Sequence, residues 1–454
     1  MSNQAKAGLP ARLCFCYTFP QVKTPAALIF YLASAATAAE VTFQKHVLPI
    51  LQNHCQGCHR TGEAAPMPLL TYKDTRPFAR AIRAAVISKK MPPWFADRDH
   101  GKFSNDTSLA QSDIDTLTTW ADTGAKEGDP KDAPVPKEFT KGWTIGKPDL
   151  IIDMPAAHKV PATGTIEYTY FVVPTGFTED KWVETVEVRP GASSVVHHIV
   201  LANRPKGSAY LKEAPVGVAY IPTTAKPTFS GKKATGDGSF VGLADGFIEL
   251  LSVYVPGGFA YDTKPGQARL IPAGSDLIFQ IHYVSNGKET LDRSSVGIVF
   301  AKAPPKERVI NAYVRNDSFV IPPGDSAYRV DANVEIHHDT MLQSLMPHMH
   351  LRGKAFEYVA TYPTGESQTL LKVPSYDFNW QLTYRLEKPV LLPKGTKLRA
   401  TAWFDNSPNN KFNPDPKSEV RWGDQSWEEM VAGFVDFVVP VEVNPARIAT
   451  QSKQ

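Results

Sequence analysis

The sequence is poor in cysteine, in net charge and in long apolar runs. Its 454 residues include 4 cysteines, too few for a fold that depends on a disulfide framework. Its 49 basic and 46 acidic residues nearly balance, so the composition predicts no nucleic-acid partner. The apolar run from Pro25 to Ala36 is too short to cross a bilayer, and we therefore predict no membrane span.

Residues 1–38 have the pattern of a secretory signal peptide. A basic start without acidic residues precedes the apolar run, and Ala36-Thr37-Ala38 fits a cleavage site. Cleavage there would remove three of 49 basic residues and none of the 46 acidic ones, so the formal net charge would fall from +3 to zero. It would leave Cys55 and Cys58 as the remaining cysteines. We expect an exported, disulfide-free protein in which these two cysteines have another task.

Proline and aromatic residues, in contrast, are abundant. The 38 prolines, 23 phenylalanines and 16 tyrosines predict many short strands and turns rather than a helical bundle. Apolar residues recur at helical spacing up to about residue 128, and at period two after a polar, proline-rich stretch. We predict an all-α domain at 39–128, a linker at 129–147, β-domains at 148–305 and 306–445, and a tail at 446–454.

The segment Cys55-Gln56-Gly57-Cys58-His59 has the spacing of a c-type haem attachment site. Two thioether bonds would hold the haem, and His59 would be an axial ligand. A zinc site would need two more ligands nearby, and a redox dithiol would not need the histidine. The motif therefore predicts one covalent haem c.

Met91 is the predicted second axial ligand. It follows a predicted helix and stands in Lys90-Met91-Pro92-Pro93-Trp94. The segment resembles class I cytochromes c, which carry the distal methionine on such a turn. Met67 and His100 are the alternative ligands, and packing in the core is the alternative role for Met91.

The second half of the chain reads as β-structure with a loose internal repeat. Ile166, Tyr168, Tyr170 and Val172 alternate with more polar residues, which predicts a half-buried antiparallel strand. Residues 270–277 and 391–398 share a Leu-x-Pro-x-Gly-x-x-Leu-like pattern at an offset of 121 residues. This repeat favours two related β-domains, each bringing a pair of histidines.

The first β-domain offers His197, His198 and His282 as metal ligands. Adjacent histidines in a regular strand point to opposite faces, so both can bind one ion only if the strand ends or bulges there. Three imidazoles without a carboxylate or thiolate suit copper. The alternative is one buried and one exposed histidine.

The second β-domain offers His348 and His350, which would project from one face of a strand, and then Met430. Two imidazoles and a thioether form a softer donor set that favours Cu(I). Met430 alone would pass as a core residue beside Val431 and Phe434.

Four motifs in order, His-His, Gln-Ile-His-Tyr, His-x-His and Glu-Glu-Met, resemble the copper type II, ascorbate-dependent monooxygenases. That family includes peptidylglycine hydroxylating monooxygenase and dopamine β-monooxygenase, and the resemblance covers about residues 148–445. It implies two antiparallel, jelly-roll-like β-sandwich domains whose two coppers face each other across a solvent-filled cleft. It further implies that His197, His198 and His282 hold an electron-transfer copper. His348, His350 and Met430 would hold the copper that binds O2 and hydroxylates a C–H bond.

Three positions depart from the peptide-hydroxylating members. Where those members carry a substrate-binding arginine, asparagine and tyrosine, this chain has Met346, Ala432 and Phe434. We therefore expect a more apolar substrate than a peptide carboxylate. A fused cytochrome is foreign to the animal enzymes and points to a bacterial, periplasmic or secreted protein.

His337 and His338 are a further pair, which we interpret either as an outer partner of a ligand histidine or as surface residues. The leading hypothesis is an enzyme that hydroxylates a small organic substrate with O2. Electrons from ascorbate or a periplasmic redox protein would pass through the haem. The alternative is a haem- and copper-binding protein for electron transfer or copper handling without hydroxylation.

Overall fold

The computed structural model describes residues 40–451, with gaps at 64, 141, 223–248, 256–260 and 424. The predicted signal peptide lies outside the described residues. Strand makes up 38% of the structure and helix 12%, so the chain is mainly a β-protein. In the part of the chain that is described, no helix is long and apolar enough to cross a membrane.

Four α-helices occupy the N-terminal part of the described chain. They are α1 (Leu48–His54), α2 (Tyr72–Thr75), α3 (Ala79–Ile87) and α4 (Gln111–Asp122), with a π-helical turn at Phe43–Val47 before α1 and 3-10 turns at Arg76–Phe78, Pro130–Asp132 and Pro445–Arg447. Their apolar faces close on one core in which Phe43 and Trp120 are fully buried. The helical spacing of the sequence thus corresponds to real helices with a common core.

The rest of the described chain forms strands in five sheets. The strands are β1 (Leu150–Asp153), β2 (His158–Val160), β3 (Thr169–Pro174), β4 (Lys181–Arg189), β5 (Val196–Arg204), β6 (Glu249–Tyr254), β7 (Tyr261–Asp262), β8 (Gln267–Ile271), β9 (Asp276–Tyr283), β10 (Thr290–Asp292), β11 (Ser295–Phe300), β12 (Glu307–Asn316), β13 (Val320–Ile321), β14 (Tyr328–Ile336), β15 (Thr340–His348), β16 (Gly353–Thr361), β17 (Ser367–Val373), β18 (Tyr384–Leu392), β19 (Lys397–Phe404), β20 (Val420–Arg421), β21 (Val431–Pro440) and β22 (Ala449–Gln451).

A nine-stranded sheet runs through both halves in the order β1-β11-β4-β8-β12-β21-β15-β18, with β7 beside β4. Its halves join where β8 pairs in parallel with β12, Gln267 opposite Glu307. A four-stranded sheet, β3-β9-β5-β6, and a five-stranded sheet, β17-β16-β19-β14-β22, cover the two halves. Two small ladders, β2 with β10 and β13 with β20, complete the strand pairing.

Each half is a β-sandwich with its own apolar core. Phe279 of β9 packs toward Val186 of β4 in the first core, and Phe356 of β16 toward Phe437 of β21 in the second. This is face-to-face packing of the alternating apolar side chains of two sheets. We refer to the two halves as the first and the second sandwich.

The strand predicted around Ile166 to Val172 differs from expectation. It begins at Thr169, and every residue from Thr169 to Val173 is buried, so the half-buried interpretation is wrong. One face contributes to the first core, while Tyr170 and Val172 on the other face are covered by the segment around Leu211. A strand covered on both faces shows no polar alternation.

The sequence repeat coincides with a repeated structural step. Residues 270–277 lead from β8 to β9, and residues 391–398 lead from β18 to β19. In each case the chain leaves the nine-stranded sheet and enters the sheet that covers it. The proline and glycine of the repeat form the turn at each crossing.

The predicted linker does not behave as a free tether. The Arg60 guanidinium lies 4.3 Å above the ring of Phe139. The backbone N–H and hydroxyl of Thr144 donate to the buried carboxylate of Glu187, at 2.7 and 2.9 Å. Phe139 and Thr144 are therefore both docked, the first on the helical part and the second on the first sandwich.

The predicted tail and the segment after α3 also belong to the packed structure. β22 pairs with β14, so the chain remains part of the second sandwich up to Gln451. The ring of Trp94 lies 4.9 Å from that of Tyr384, and Phe103 forms a β-bridge with Leu386 on the edge strand β18. The helical part is thereby anchored on the second sandwich.

Candidate metal centres

His197, His198 and His282 form a cluster whose ligand atoms all lie within 4.8 Å of one another. β5 carries the first two and β9 the third, and His198 stands directly opposite His282. The register shifts between Val196 and His198, which is the irregularity that adjacent histidines need. The cluster lies on the face opposite the first core, because the neighbouring Ile199 and Ile281 point into that core. The predicted ligand set is thus brought together.

The ring nitrogens of this first centre face one another. The Nδ1 atoms of His197 and His198 are 3.2 Å apart, and Nδ1 of His282 is buried without a hydrogen-bond partner among the described residues. Burial lowers the pKa of His197 and of His198, and lowers that of His282 to about 4. Neutral imidazoles with converging, unsatisfied nitrogens are the donor set that a metal ion requires.

The second centre lies where β15 ends. The rings of His348 and His350 are 5.1 Å apart. His348 is paired with Ala432 on β21, so continuing this antiparallel register by two residues sets His350 opposite Met430. Met430 is buried and immediately precedes β21. His348, His350 and Met430 therefore lie on neighbouring segments, where β15 ends and β21 begins.

Hydrogen bonds orient both histidines of the second centre. Nδ1 of His348 lies 2.8 Å from Oε1 of Gln381, and Nδ1 of His350 lies 3.1 Å from the carbonyl oxygen of Glu428. Each Nδ1–H is thus a donor, which leaves Nε2 as the ligand atom. Burial lowers the pKa of His348 to about 4 and that of His350 to about 3, so both are neutral at pH 7.

Glu429 joins the two segments that supply the second centre. Its fully buried carboxylate accepts from the backbone N–H of His350 at 2.8 Å and of Arg352 at 2.6 Å. It also accepts from the backbone N–H of Met430. Burial, only partly opposed by these donors and by the Arg352 charge, raises the pKa of Glu429 to about 8. One side chain therefore fixes both the His-x-His segment and the methionine.

The first centre, in the first sandwich, lies close to the second centre, in the second sandwich. The ring of Phe378 lies 6.2 Å from that of His282 and 6.2 Å from that of His350. Tyr168, whose ring is 5.0 Å from that of His282, makes a side-chain hydrogen bond to Ser426 of the second sandwich. Aromatic side chains thus stand between the two sets of imidazoles, where the family resemblance implies a solvent-filled cleft.

The haem-attachment loop follows α1. Cys55 and Cys58 are free thiols, and burial raises the pKa of Cys55 to about 12. Nδ1 of His59 lies 3.1 Å from the carbonyl oxygen of Met67, so Nε2 is left for a ligand. Burial lowers the pKa of His59, which keeps the imidazole neutral.

The three candidates for the second haem ligand, Met91, Met67 and His100, lie in different surroundings. Met91 is half-buried on the turn after α3 and does not belong to the buried cluster of the helices, so a core role is not supported for it. Met67 does pack against that cluster. Nδ1 of His100 lies 3.2 Å from Asp97. The prediction of Met91 as the ligand stays a prediction.

The haem-attachment loop touches the first sandwich next to the first centre. The hydroxyl of Ser193, four residues before His197, donates to the carbonyl oxygen of Gly62 at 3.3 Å. On β6, burial and then the nearby Glu63 and Cys58 raise the pKa of Tyr254 to about 12. The loop that would carry haem thus lies beside the strands that carry His197 and His198.

His337 and His338 are remote from the second centre. Nε2 of His337 bonds the hydroxyl of Thr450 at 2.6 Å, and Nδ1 of the half-buried His338 lies 2.8 Å from the carbonyl oxygen of Asp339. They precede β15, whereas His348 ends it, and a nine-residue strand spans about 30 Å. The interpretation as outer partners is therefore wrong and that as surface residues is supported. The partners in the structure are Gln381, Phe378 and Glu429; no local sequence signal pointed to the first two, and Glu429 stood in the Glu-Glu-Met motif without an assigned role.

The comparisons with known proteins are weak. No protein-family model and no curated protein matches the chain. Among solved structures it is similar to the infectious bursal disease virus Gx strain, with 9% identity over 66% of this chain and 75% of that chain, at a TM-score of 0.18. The VP2 subviral particle of the same virus follows, with 8% identity over 67% and 75% at 0.19. Similarity at this level carries no inference about fold or function.

Proposed function

We propose that this chain is an exported copper monooxygenase that hydroxylates a C–H bond of a small organic substrate with O2. One haem c and two coppers are its cofactors in this proposal. The haem would be held by Cys55, Cys58 and His59, with Met91 as the further proposed ligand. The electron-transfer copper is held by His197, His198 and His282, and the oxygen-binding copper by His348, His350 and Met430.

The observation that carries the proposal is the presence of two unlike donor sets in one fold. The first has three converging imidazoles with an unpartnered buried Nδ1. The second has two oriented imidazoles, with Met430 on the neighbouring segment as the proposed thioether ligand. Nitrogen donors serve both oxidation states of copper, whereas a thioether favours Cu(I). Copper storage alone would not need two different coordination sets.

The residues of the second centre prepare a site for chemistry that copper supplies when bound, the one-electron activation of O2. Gln381 and the Glu428 carbonyl bind Nδ1 of His348 and of His350, so that both Nε2 atoms would be available to the metal. Glu429 fixes the distance between these histidines and Met430 through their backbones. The ring of Phe378, 6.2 Å from that of His350, would limit the access of water on that side. The overall reaction consumes O2, two electrons and two protons, and yields the alcohol and water.

The haem in this proposal is the source of electrons for the first centre. Support comes from the contact between Ser193 and Gly62, which sets the attachment loop against the start of β5. Thr144 binds Glu187, so the connection is held against the first sandwich. The haem would therefore not have to reach the first centre by diffusing on a flexible tether. Ascorbate or a periplasmic redox protein would reduce the haem from outside. The basic start, apolar run and cleavage pattern of residues 1–38 support a periplasmic or secreted location in a bacterium.

Metal analysis and oxygen uptake test the proposal together. Purified protein should contain one haem and two coppers per chain, and the reduced, copper-loaded form should consume O2 only when an oxidisable substrate is present. Two coppers without substrate-dependent uptake across a panel of small apolar compounds would favour the alternative, an electron-transfer or copper-handling protein. Fewer than two coppers would contradict the proposed ligand sets.

A further inference from the structure

The connection between β17 and β18, residues 374–383, approaches both metal centres, and we call it the bridging loop. Gln381 contacts His348, and Phe378 lies between His282 and His350. The hydroxyl of Tyr376 donates to the carbonyl oxygen of Met349 at 2.8 Å and accepts from its backbone N–H at 3.1 Å. The backbone of Met349, which lies between His348 and His350, thus holds the bridging loop in place.

Gln381 has a donor that the described residues do not use. Its side chain is 3% exposed, and its Oε1 is committed to His348. Its Nε2 is buried and has no hydrogen-bond partner among the described residues. A buried donor without an acceptor costs free energy, so such a group marks a position where an acceptor from outside the chain can bind.

Apolar side chains lie beside the two histidines of this centre. The ring of Phe378 lies beside His350, and the ring of Phe434 lies 6.1 Å from that of His348. Ala432 stands opposite His348 on β21. A carboxylate held here by one neutral amide would be poorly compensated for the water it loses. A neutral molecule with an apolar body and one accepting oxygen fits these surroundings better.

We propose that the bridging loop is the substrate-recognition element. Gln381 donates through Nε2 to a carbonyl, ether or hydroxyl oxygen of an uncharged substrate, whose apolar body packs on Phe378. In this arrangement Gln381 has two separable roles, since Oε1 positions His348 and Nε2 binds substrate. The inference rests on the proposed function, because it concerns the substrate of the second centre.

Acetophenone and ethylbenzene are suitable probes, because they have similar size and differ in one accepting oxygen. Their Kd values are measured by ligand-observed NMR on full-length, haem-containing, copper-free protein. In Gln381→Leu and in Gln381→Glu the Kd of acetophenone should rise about tenfold, the effect of one lost hydrogen bond to a buried donor. The Kd of ethylbenzene should stay within about twofold of the wild-type value in both variants. Phe378→Ala should weaken both probes alike.

The two Gln381 variants separate substrate binding from positioning. The carboxylate introduced by Gln381→Glu would not be a donor when ionised but would still accept from His348, so this variant should retain copper at the second centre. Gln381→Leu should lose about 10–100-fold in copper affinity there. Equal weakening of both probes in the Gln381 variants, no weakening of acetophenone, or no binding of either probe to the wild type would overturn the proposal. Because copper is absent from the binding assay, a protein that binds as expected yet consumes no O2 would refute only the monooxygenase proposal.

Discussion

The two candidate copper centres are built in different ways on similar sandwiches. The first lies within strands of the covering sheet, and its histidines have mainly one another as neighbours. The second lies at the end of β15 in the nine-stranded sheet, and each of its histidines donates to an outer partner. The repeat that relates the sandwiches does not relate the centres, because it aligns His282 with Trp403.

This difference matches the different tasks assigned to the centres. A closed set of three imidazoles on neighbouring strands changes little when an electron arrives, which suits electron transfer. In the proposed function, O2 and substrate would bind beside the ligands at the strand end, which Gln381 and Glu429 hold in place. The comparison predicts that damage to one centre leaves the other intact.

The largest expected effect is the loss of hydroxylation in Met430→Ala. Removal of the thioether should lower the rate by at least about a hundredfold, since changes to outer partners alone cost roughly 10–100-fold. The haem spectrum and the copper of the first centre should be unchanged, as measured by absorption and metal analysis. Met341→Ala, at the other end of β15, is the control. An active Met430→Ala enzyme with two coppers would refute the role of Met430.

A comparable effect at the first centre is expected in His282→Ala. Reduced haem should be reoxidised rapidly when Cu(II) is added to wild-type protein, and rapid-mixing spectra should show this step missing in the variant. The second centre should still bind copper. His158→Ala removes a histidine that stacks on Tyr283 in the same sandwich and should leave haem oxidation unchanged. Unaltered haem oxidation in His282→Ala would mean that the haem reduces another partner.

Glu429→Gln should weaken the second centre selectively. The amide can accept fewer of the three backbone N–H groups that the carboxylate accepts, so His350 and Met430 lose their common support. We expect copper affinity at this centre to fall about 10–100-fold, with the first centre unaffected. Glu187→Gln, a change at another buried carboxylate, controls for a general loss of stability. Equal loss of both coppers would indicate global damage instead.

Protonation should destabilise the metal-free protein between about pH 6.5 and pH 4. The pKa values of His282, His348 and His350 are lowered by burial to about 4, 4 and 3, against 6.5 for exposed imidazole. In this range the unfolded chain binds protons at these three histidines that the native protein does not, so their contribution to the free energy of unfolding falls as the pH falls. The raised pKa of Glu429 acts in the opposite direction but is one group against three. Each pKa unit corresponds to about 1.4 kcal/mol. Urea unfolding of His350→Leu should show a shallower pH slope than wild type, and an equal slope would contradict the assigned burial effect.

The smallest effect is spectral and concerns the haem that would supply both centres. Met91→Ala should lose the weak absorption of a thioether–iron bond, whereas Met67→Ala should keep it, because the carbonyl of Met67 still accepts from His59. Copper binding at both centres should be unchanged. The reverse pattern in the two variants would move the ligand to Met67.

Much of the candidate site could be predicted, because its ligand motifs consist of residues that are close together in the sequence. Two adjacent histidines reach one face only where a strand is irregular, which predicted the bulge at His197. His348 and His350 are two residues apart at a strand end, which predicted that they share a face. The contacts that could not be predicted join segments that are far apart in the sequence. Phe378 is 96 residues from His282, and Gln381 is 33 residues from His348, in a loop without regular spacing.

The sequence by itself determined the identity and order of the candidate ligand side chains, because Cys-x-x-Cys-His, His-His and His-x-His are set by neighbouring residues. It also determined the change from helices to strands, since apolar periodicity reflects which faces are buried. Only the tertiary structure decided that one sheet joins both sandwiches, that the linker is docked at Glu187, and that Glu429 and Gln381 hold the second centre. These contacts depend on strand register and loop closure across many residues, which local spacing does not encode.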